Sequence, residues 1–384
     1  MTEQLVIIGT GVLVSISCAL LGAFLIARNM SMMSDAISHA ILPGLAIAVL
    51  MTGERTTVHV VIGGVMTGIL TVSLVEMLHR SRLIKEDSAI GVVFPALFSI
   101  GIILISQAGN VHIDTQHVLY GEIEYSPFDT LFWDSVNLGA KSLWVLGILT
   151  IANLAFIVLL HKELKLSTFD AALASILGFA PMLMHYLLMI MVATTAVVAF
   201  ESVGAILVIA LFIVPAASAY LLTDRLSIMI GLSVAIGAIS AVGGYFMAAA
   251  LDVSIAGAMA TTTGIGFSLT WLLAPKRGLL TQWSKRSHQR DEFAADLFML
   301  HIAEKGQTQK IDQSTIQERL EWSKDFTDRV ARYVTQNKFV QIDGQYLRLN
   351  SKGMARLAAQ GLLSLSDGEE AGSTNSKPDD RMLK

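Results

Sequence analysis

Charge is scarce in this chain: 15% of its 384 residues are Asp, Glu, Lys or Arg, against about a quarter in an ordinary soluble domain. Cysteine is scarcer still. The single Cys18 excludes an intrachain disulfide and any thiolate cluster that would select a soft metal. No Gly-x-x-x-x-Gly-Lys-Ser/Thr phosphate loop occurs, so the chain does not itself hydrolyse ATP by that device. No His-Glu-x-x-His occurs either, which argues against an intramembrane zinc protease.

Apolar residues fill the space that charge leaves, at 53% of positions. Runs of 18 or more recur from Leu5 to about Pro275, each long enough to cross a bilayer. The first continues as a full-length span, unlike a short signal peptide. The spacing predicts spans near 4–27, 30–52, 57–79, 88–107, 136–160, 181–200, 202–222, 227–250 and 254–274. The expected fold is therefore an all-α polytopic membrane protein of about eight or nine transmembrane helices. Phe200-Glu201-Ser202 leaves almost no loop between two spans, so one of them is a candidate re-entrant or broken helix. Methionine clusters at Met30, Met32 and Met33, and at Met182, Met184, Met189 and Met191, read as packing filler in preference to copper ligands.

The charges that remain are unevenly placed. Residues 1–275 hold 9 Lys+Arg against 16 Asp+Glu, and residues 276–384 hold 18 against 15, giving −7 and +3. Arg28, Arg80, Arg82, Lys85, Lys162, Lys165, Arg225, Lys276 and Arg277 fall on one side of the spans, with only Arg55 and Lys141 on the other. The positive-inside rule then puts the N-terminus outside and the C-terminus in the cytosol of a multi-pass protein of the cytoplasmic membrane. The expected division is a transmembrane domain at 1–280, a cytosolic domain at 285–365 and a disordered tail at 366–384. In the cytosolic part, helical patterns at 288–305, 311–321 and 323–337 precede a hairpin over 339–349 with an Asp343-Gly344 turn, the layout of a winged-helix module.

Two connecting segments carry chemistry of their own. The external segment 108–134 holds His112, Asp114, His117, Glu122 and Glu124, enough to collect cations or meet a partner. The cytoplasmic segment 161–180 places Ser167 and Asp170 in a capping-box pattern and Gly178 at a C-terminal cap. Between them Phe169, Leu173, Ile176 and Leu177 make an apolar stripe on a helix too short to span. Such a stripe must be buried on lipid or on a protein.

The densest chemistry is Asp35-Ala-Ile-Ser-His39-Ala-Ile-Leu-Pro43-Gly44. Asp35 and His39, four residues apart, share one helix face. Pro43 has no N–H, so the His39 carbonyl loses its helical partner. Ser34 and Ser38 add oxygens nearby. An aspartate, an imidazole and a freed carbonyl near mid-bilayer suit manganese, zinc or ferrous iron in transit. Two ligands do not fill a coordination sphere, but a two-fold dimer would bring two pairs to one axis. Glu76, His79 and His185 near the cytoplasmic ends are candidates for an exit path, and Glu201 at the outer junction is a candidate gate. No permanently bound cofactor is expected.

Four stretches resemble one family in order: Asp35–Gly44, Glu86-Asp87-Ser88-Ala89-Ile90-Gly91, Phe169-Asp170…Ala174…Gly178, and Val203-Gly204-Ala205-Ile206-Leu207-Val208…Pro215-Ala216-Ala217. The family is the permease subunits of ATP-binding-cassette importers for manganese, zinc and iron. The resemblance, over about residues 4–275, implies a dimer with a second permease copy or paralogue and two cytosolic ATP-binding subunits. It also implies an extracytoplasmic metal-binding protein that delivers the ion. It carries the family's intramembrane metal contacts to Asp35 and His39, and its ATPase-coupling helix to about Ser167–Leu177. Gly344-Gln345-Tyr346-Leu347-Arg348-Leu349 and Lys352-Gly353 resemble the winged-helix part of metal-responsive repressors. On the proposed recognition helix, however, Lys324, Arg329 and Arg332 are offset by Asp325 and Asp328, which weighs against nucleic acid. The alternatives are a membrane-anchored metal-responsive regulator and a proton-coupled carrier.

Overall fold

A computed structural model describes residues 3–52, 57–81, 83–107, 123–133, 136–305, 319–343 and 346–362. The chain divides into two compact units, Met1–Leu279 and Leu280–Lys384.

The first unit is helical because its apolar runs leave the backbone no partner in lipid except its own next turn. It comprises α1 (Glu3–Ala27), α2 (Ser31–Ala40), α3 (Leu42–Thr52), α4 (Thr57–Arg80) and α5 (Glu86–Gln107). After a short hairpin come α6 (Lys141–Leu159), α7 (His161–Phe169), α8 (Ala171–Ile176) and α9 (Pro181–Val203). The set ends with α10 (Ala205–Leu222), α11 (Leu226–Leu251) and α12 (Ile255–Leu273). Among the described residues seven helices are long and apolar enough to cross a membrane: α1, α4, α5, α6, α9, α10 and α11. Two expected spans fall outside that set for different reasons. The 30–52 run is divided into α2 and α3, each too short alone, while α12 is continuous but diluted by Thr261, Thr262, Thr263 and Thr270.

Of the seven candidate spans the most buried is α1, packed against α6, α9, α10 and α11. Its Val14, Cys18, Leu21 and Phe24 have no exposed surface. Polar pairs fasten it to α6: Ser17 Oγ lies 2.7 Å from Thr150 Oγ1, and Thr10 Oγ1 lies 3.2 Å from Ser142 Oγ. Such bonds between spans compensate for the missing hydrophobic drive between helices in lipid. Against this frame α2 is enclosed by α4, α5, α9 and α10.

The junction read as a candidate broken or re-entrant helix holds no break within either helix. Continuous α9 and α10, of 23 and 18 residues, meet at Gly204 alone. Its φ of 83° and ψ of 164° fall in a region open essentially to glycine. Gly204→Ala is expected to cost about 1–3 kcal/mol, seen as a lower unfolding midpoint of the detergent-solubilised protein.

The 136–160 run does not begin as helix. Val136–Ala140 is a strand, β2, paired antiparallel with β1 (Thr130–Trp133), with Trp133 opposite Val136. Of the acidic and histidine residues of the 108–134 segment, His112, Asp114, His117, Glu122 and Asp134 lie outside the described residues. Glu124 accepts from the Ile255 amide at 3.4 Å.

The second unit contains α13 (Leu279–Lys305), α14 (Lys324–Gln336), the antiparallel pair β3 (Val340–Asp343) and β4 (Tyr346–Leu349), and α15 (Ser351–Ala359). Phe298, Met299, Val330, Val334, Val340, Leu347 and Leu357 form its core. A part-buried ion pair, Arg356 Nε to Asp296 Oδ1 at 2.7 Å, ties α15 to α13. Most of the expected helix 311–321, Gly344 of the expected turn and the tail after 366 lie outside the described residues.

Candidate metal pathway and coupling elbow

Pro43 dictates where the second span breaks. The helical bonding lapses at Ile41, between α2 and α3, while its φ of −66° and ψ of −28° stay helical, because Pro43 cannot donate to the His39 carbonyl and its ring crowds that oxygen. Beyond the break, α3 and α4 touch at Gly44 and Gly63, where a Cβ on either would collide with the other's carbonyl. The pair is thus a close backbone approach that only small residues permit.

On α2, His39 Nε2 lies 3.4 Å from Asp35 Oδ1, and the side chains are 27% and 39% exposed. Two ligand atoms about 2.1 Å from one ion stand roughly 3.0 to 3.4 Å apart for octahedral to tetrahedral angles. The 3.4 Å separation is within the span that two ligands of one ion would need. Ser34 and Ser38 do not join it. Both are buried and donate to backbone carbonyls of their own helix, Ser34 to Ser31 at 3.0 Å and Ser38 to Ser34 at 2.8 Å. Among the described residues no group of three His, Cys, Asp or Glu side chains is gathered to hold a metal.

What holds the imidazole is aromatic. The His39 ring centroid lies 5.2 Å from Phe94 and 6.2 Å, edge-on, from Phe98, both on α5. Sequence reasoning missed them; the available signal was two phenylalanines four residues apart on one span, around Pro95.

Glu76 and His185 do meet. Glu76 Oε2 lies 3.9 Å from His185 Nε2, and its other oxygen accepts from Arg80 Nε at 2.8 Å. The His185 Nε2 atom is buried without a hydrogen-bond partner. His79 is exposed on the last turn of α4. Glu201 stands at the other end of α9, 16 positions from His185 and so about 24 Å along the axis. There it lines a cleft of about 100 Å³ with Asp129, Lys141 and Ser202.

The 161–180 segment differs in detail from its reading as one helix capped by Ser167. It is two short helices, α7 and α8, bent at Asp170. Asp170 is the cap: its Oδ1 accepts from the Leu173 amide at 2.9 Å. Ser167 sits inside α7, its hydroxyl donating to the Leu164 carbonyl and accepting from Arg28. Gly178 closes α8 at φ 85°, with the Phe179 amide bonded to the Ala174 carbonyl, the arrangement of a glycine C-terminal cap. The apolar stripe is bare: Phe169, Leu173, Ile176 and Leu177 are all exposed, Ile176 by 81%.

A family model described as the ABC 3 transport family matches residues 4–274. The chain belongs to that family. Among ABC 3 relatives, the manganese transport system membrane protein MntD of Bacillus subtilis is 46% identical over 289 residues, covering 75% of this chain and 98% of that one. The zinc transport system membrane protein TroD of Treponema pallidum is 39% identical over 367 residues, covering 94% and 99%. The alignment to TroD therefore continues well past the family match and into the second unit. Of solved structures, PsaBC from Streptococcus pneumoniae in complex with Fab superimposes with a TM-score of 0.61 at 32% identity, covering 72% of this chain and 94% of that one. An ABC 3 permease is a transport subunit and not an enzyme.

Proposed function

We propose that this chain is the permease subunit of an ATP-driven importer that moves a divalent transition metal ion across the cytoplasmic membrane, manganese first and zinc or iron next. The observation that carries the reading is the Asp35–His39 pair, set 3.4 Å apart beside a proline break. The relatives named for manganese and zinc transport point the same way. Carboxylate and imidazole ligands suit all three metals, so the donor set alone does not rank them.

In this reading the N-terminus is outside and the second unit is cytosolic. A second permease copy or paralogue supplies a second Asp–His pair across the dimer axis. An extracytoplasmic metal-binding protein delivers the ion, and two cytosolic ATPase subunits seat on the exposed stripe of α7 and α8. The cleft at Glu201 lies on the outer side as a gate, Pro43 permits the bend, and Glu76 with His185 offers the ion its next carboxylate and imidazole. The second unit, with its helices and hairpin, is a winged-helix-like module in regulation or subunit contact. Its α14 sets Lys324, Arg329 and Arg332 against Asp325 and Asp328, a balance poor for DNA.

Reconstituted with its ATPase and delivery protein, the permease is expected to take up manganese only with ATP and to continue when the proton gradient is collapsed. Uptake that ignores ATP and fails with the gradient would overturn the reading. Competition by zinc and ferrous iron ranks the metals. Replacing Phe94 and Phe98 together by Ala is expected to raise the half-saturating metal concentration roughly tenfold, since each ring contact contributes about 0.5–1.5 kcal/mol to holding the imidazole.

A further inference from the structure

Arg28 stands between α2 and the α7–α8 elbow. It is the C-cap of α1, and the chain closes tightly after it. Asn29 adopts φ 60°, its amide bonds the Ile26 carbonyl at 3.1 Å, and the Met30 amide bonds the Leu25 carbonyl at 2.9 Å. This doubly bonded turn is the Schellman arrangement. It hands the chain to α2 at Ser31 without slack.

The Arg28 side chain reaches the other way. Its Nε donates to Thr168 Oγ1 at 3.1 Å and its Nη2 to Ser167 Oγ at 3.0 Å, contacts spanning 140 and 139 positions of sequence. Both hydroxyls donate onward to the Leu164 carbonyl, at 2.6 and 3.1 Å. The guanidinium is thus clamped on the last turn of α7, where the helix presents the negative end of its dipole. Burial pushes Arg28 down to about 10, which still leaves it protonated at neutral pH. A planar fork that meets two acceptors at once is a property of arginine that lysine lacks.

We propose that Arg28 is the positioning residue that transmits movement of the α7–α8 elbow to α2, and so turns the Asp35–His39 pair. The inference rests on the importer reading above. When the ATPase displaces the elbow, Ser167 and Thr168 carry Arg28 with them. The closed turn at Asn29 and Met30 then shifts the first residues of α2.

The test uses the complete importer in proteoliposomes with manganese, comparing Arg28→Gln, Arg28→Lys and the double variant Ser167→Ala with Thr168→Val. Assembly and basal ATP hydrolysis are expected to persist in the Arg28 variants, and ATPase co-purification confirms assembly of the hydroxyl variant before its ratio is read. Stimulation of hydrolysis by the metal-loaded delivery protein should be lost, and ions moved per ATP should fall about tenfold, the scale of one or two charge-assisted hydrogen bonds. Arg28→Lys should not restore the ratio. An unchanged ratio in the hydroxyl double variant overturns the proposal, whatever Arg28→Gln does. Asp35→Ala separates the two readings: normal transport there overturns the importer site, whereas failure there with an unchanged ratio in the hydroxyl variant overturns only the link.

Discussion

Cells carrying Asp35→Ala or His39→Ala are expected to lose metal accumulation by about a hundredfold while the protein still inserts and still holds its ATPase. The magnitude follows from the ligand count. Removing a residue that only supports a metal ligand typically costs 10–100-fold in affinity, and here one of the two proposed ligands on the chain would disappear. The fold should tolerate the change, because both side chains are part-exposed and neither anchors the core of α2. That core is Met33, Ala36, Ile37 and Ala40, on the opposite side of the helix. Elemental analysis of cells and quantification of membrane-inserted protein check the two halves separately. Normal accumulation in both variants would remove the site assignment.

Ile176→Asp is expected to abolish uptake by a different route, through loss of the ATPase. Ile176 is 81% exposed on α8, so the substitution disturbs little inside the permease. At an interface it would bury a carboxylate where an aliphatic side chain belongs. The lost contact is about 1.5–3 kcal/mol and the unpaired charge adds several more, together a fall of at least about a hundredfold in docking. Co-purification of the ATPase should fail while manganese binding to the isolated permease remains. An ATPase that still co-purifies would move the docking surface elsewhere.

How much of this was readable beforehand depends on the reach of the interactions involved. The break near Pro43 was legible because it is a property of one residue and the carbonyl four positions before it. The spacing of Asp35 and His39 was legible for the same reason, as was the glycine cap at Gly178. Reading failed where side chains from distant segments choose among local options. The capping-box pattern gave the cap to Ser167 with Asp170 as its partner, and the bend between α7 and α8 gives that role to Asp170 instead. Ser34 and Ser38 carry oxygens beside Asp35, but packing against α4, α5, α9 and α10 turns them to their own backbone. Phe94, Phe98 and Arg28 act across 55, 59 and about 140 positions, beyond any helical period. The β1–β2 hairpin was hidden by its neighbours, since apolar strand residues run straight into apolar helix at Lys141.

The division at Ile41 has a consequence for how the protein can work at all. A continuous rod across the bilayer would have to swing both ends together and drag its lipid-facing surface along. A proline joint, with one helical hydrogen bond missing, loosens the tie between those ends. In the proposed mechanism the segment before Pro43 can bend while the one after it stays held to α4 through the glycine contact, so a small push at the start of α2 is enough to redirect the part-exposed Asp35–His39 pair.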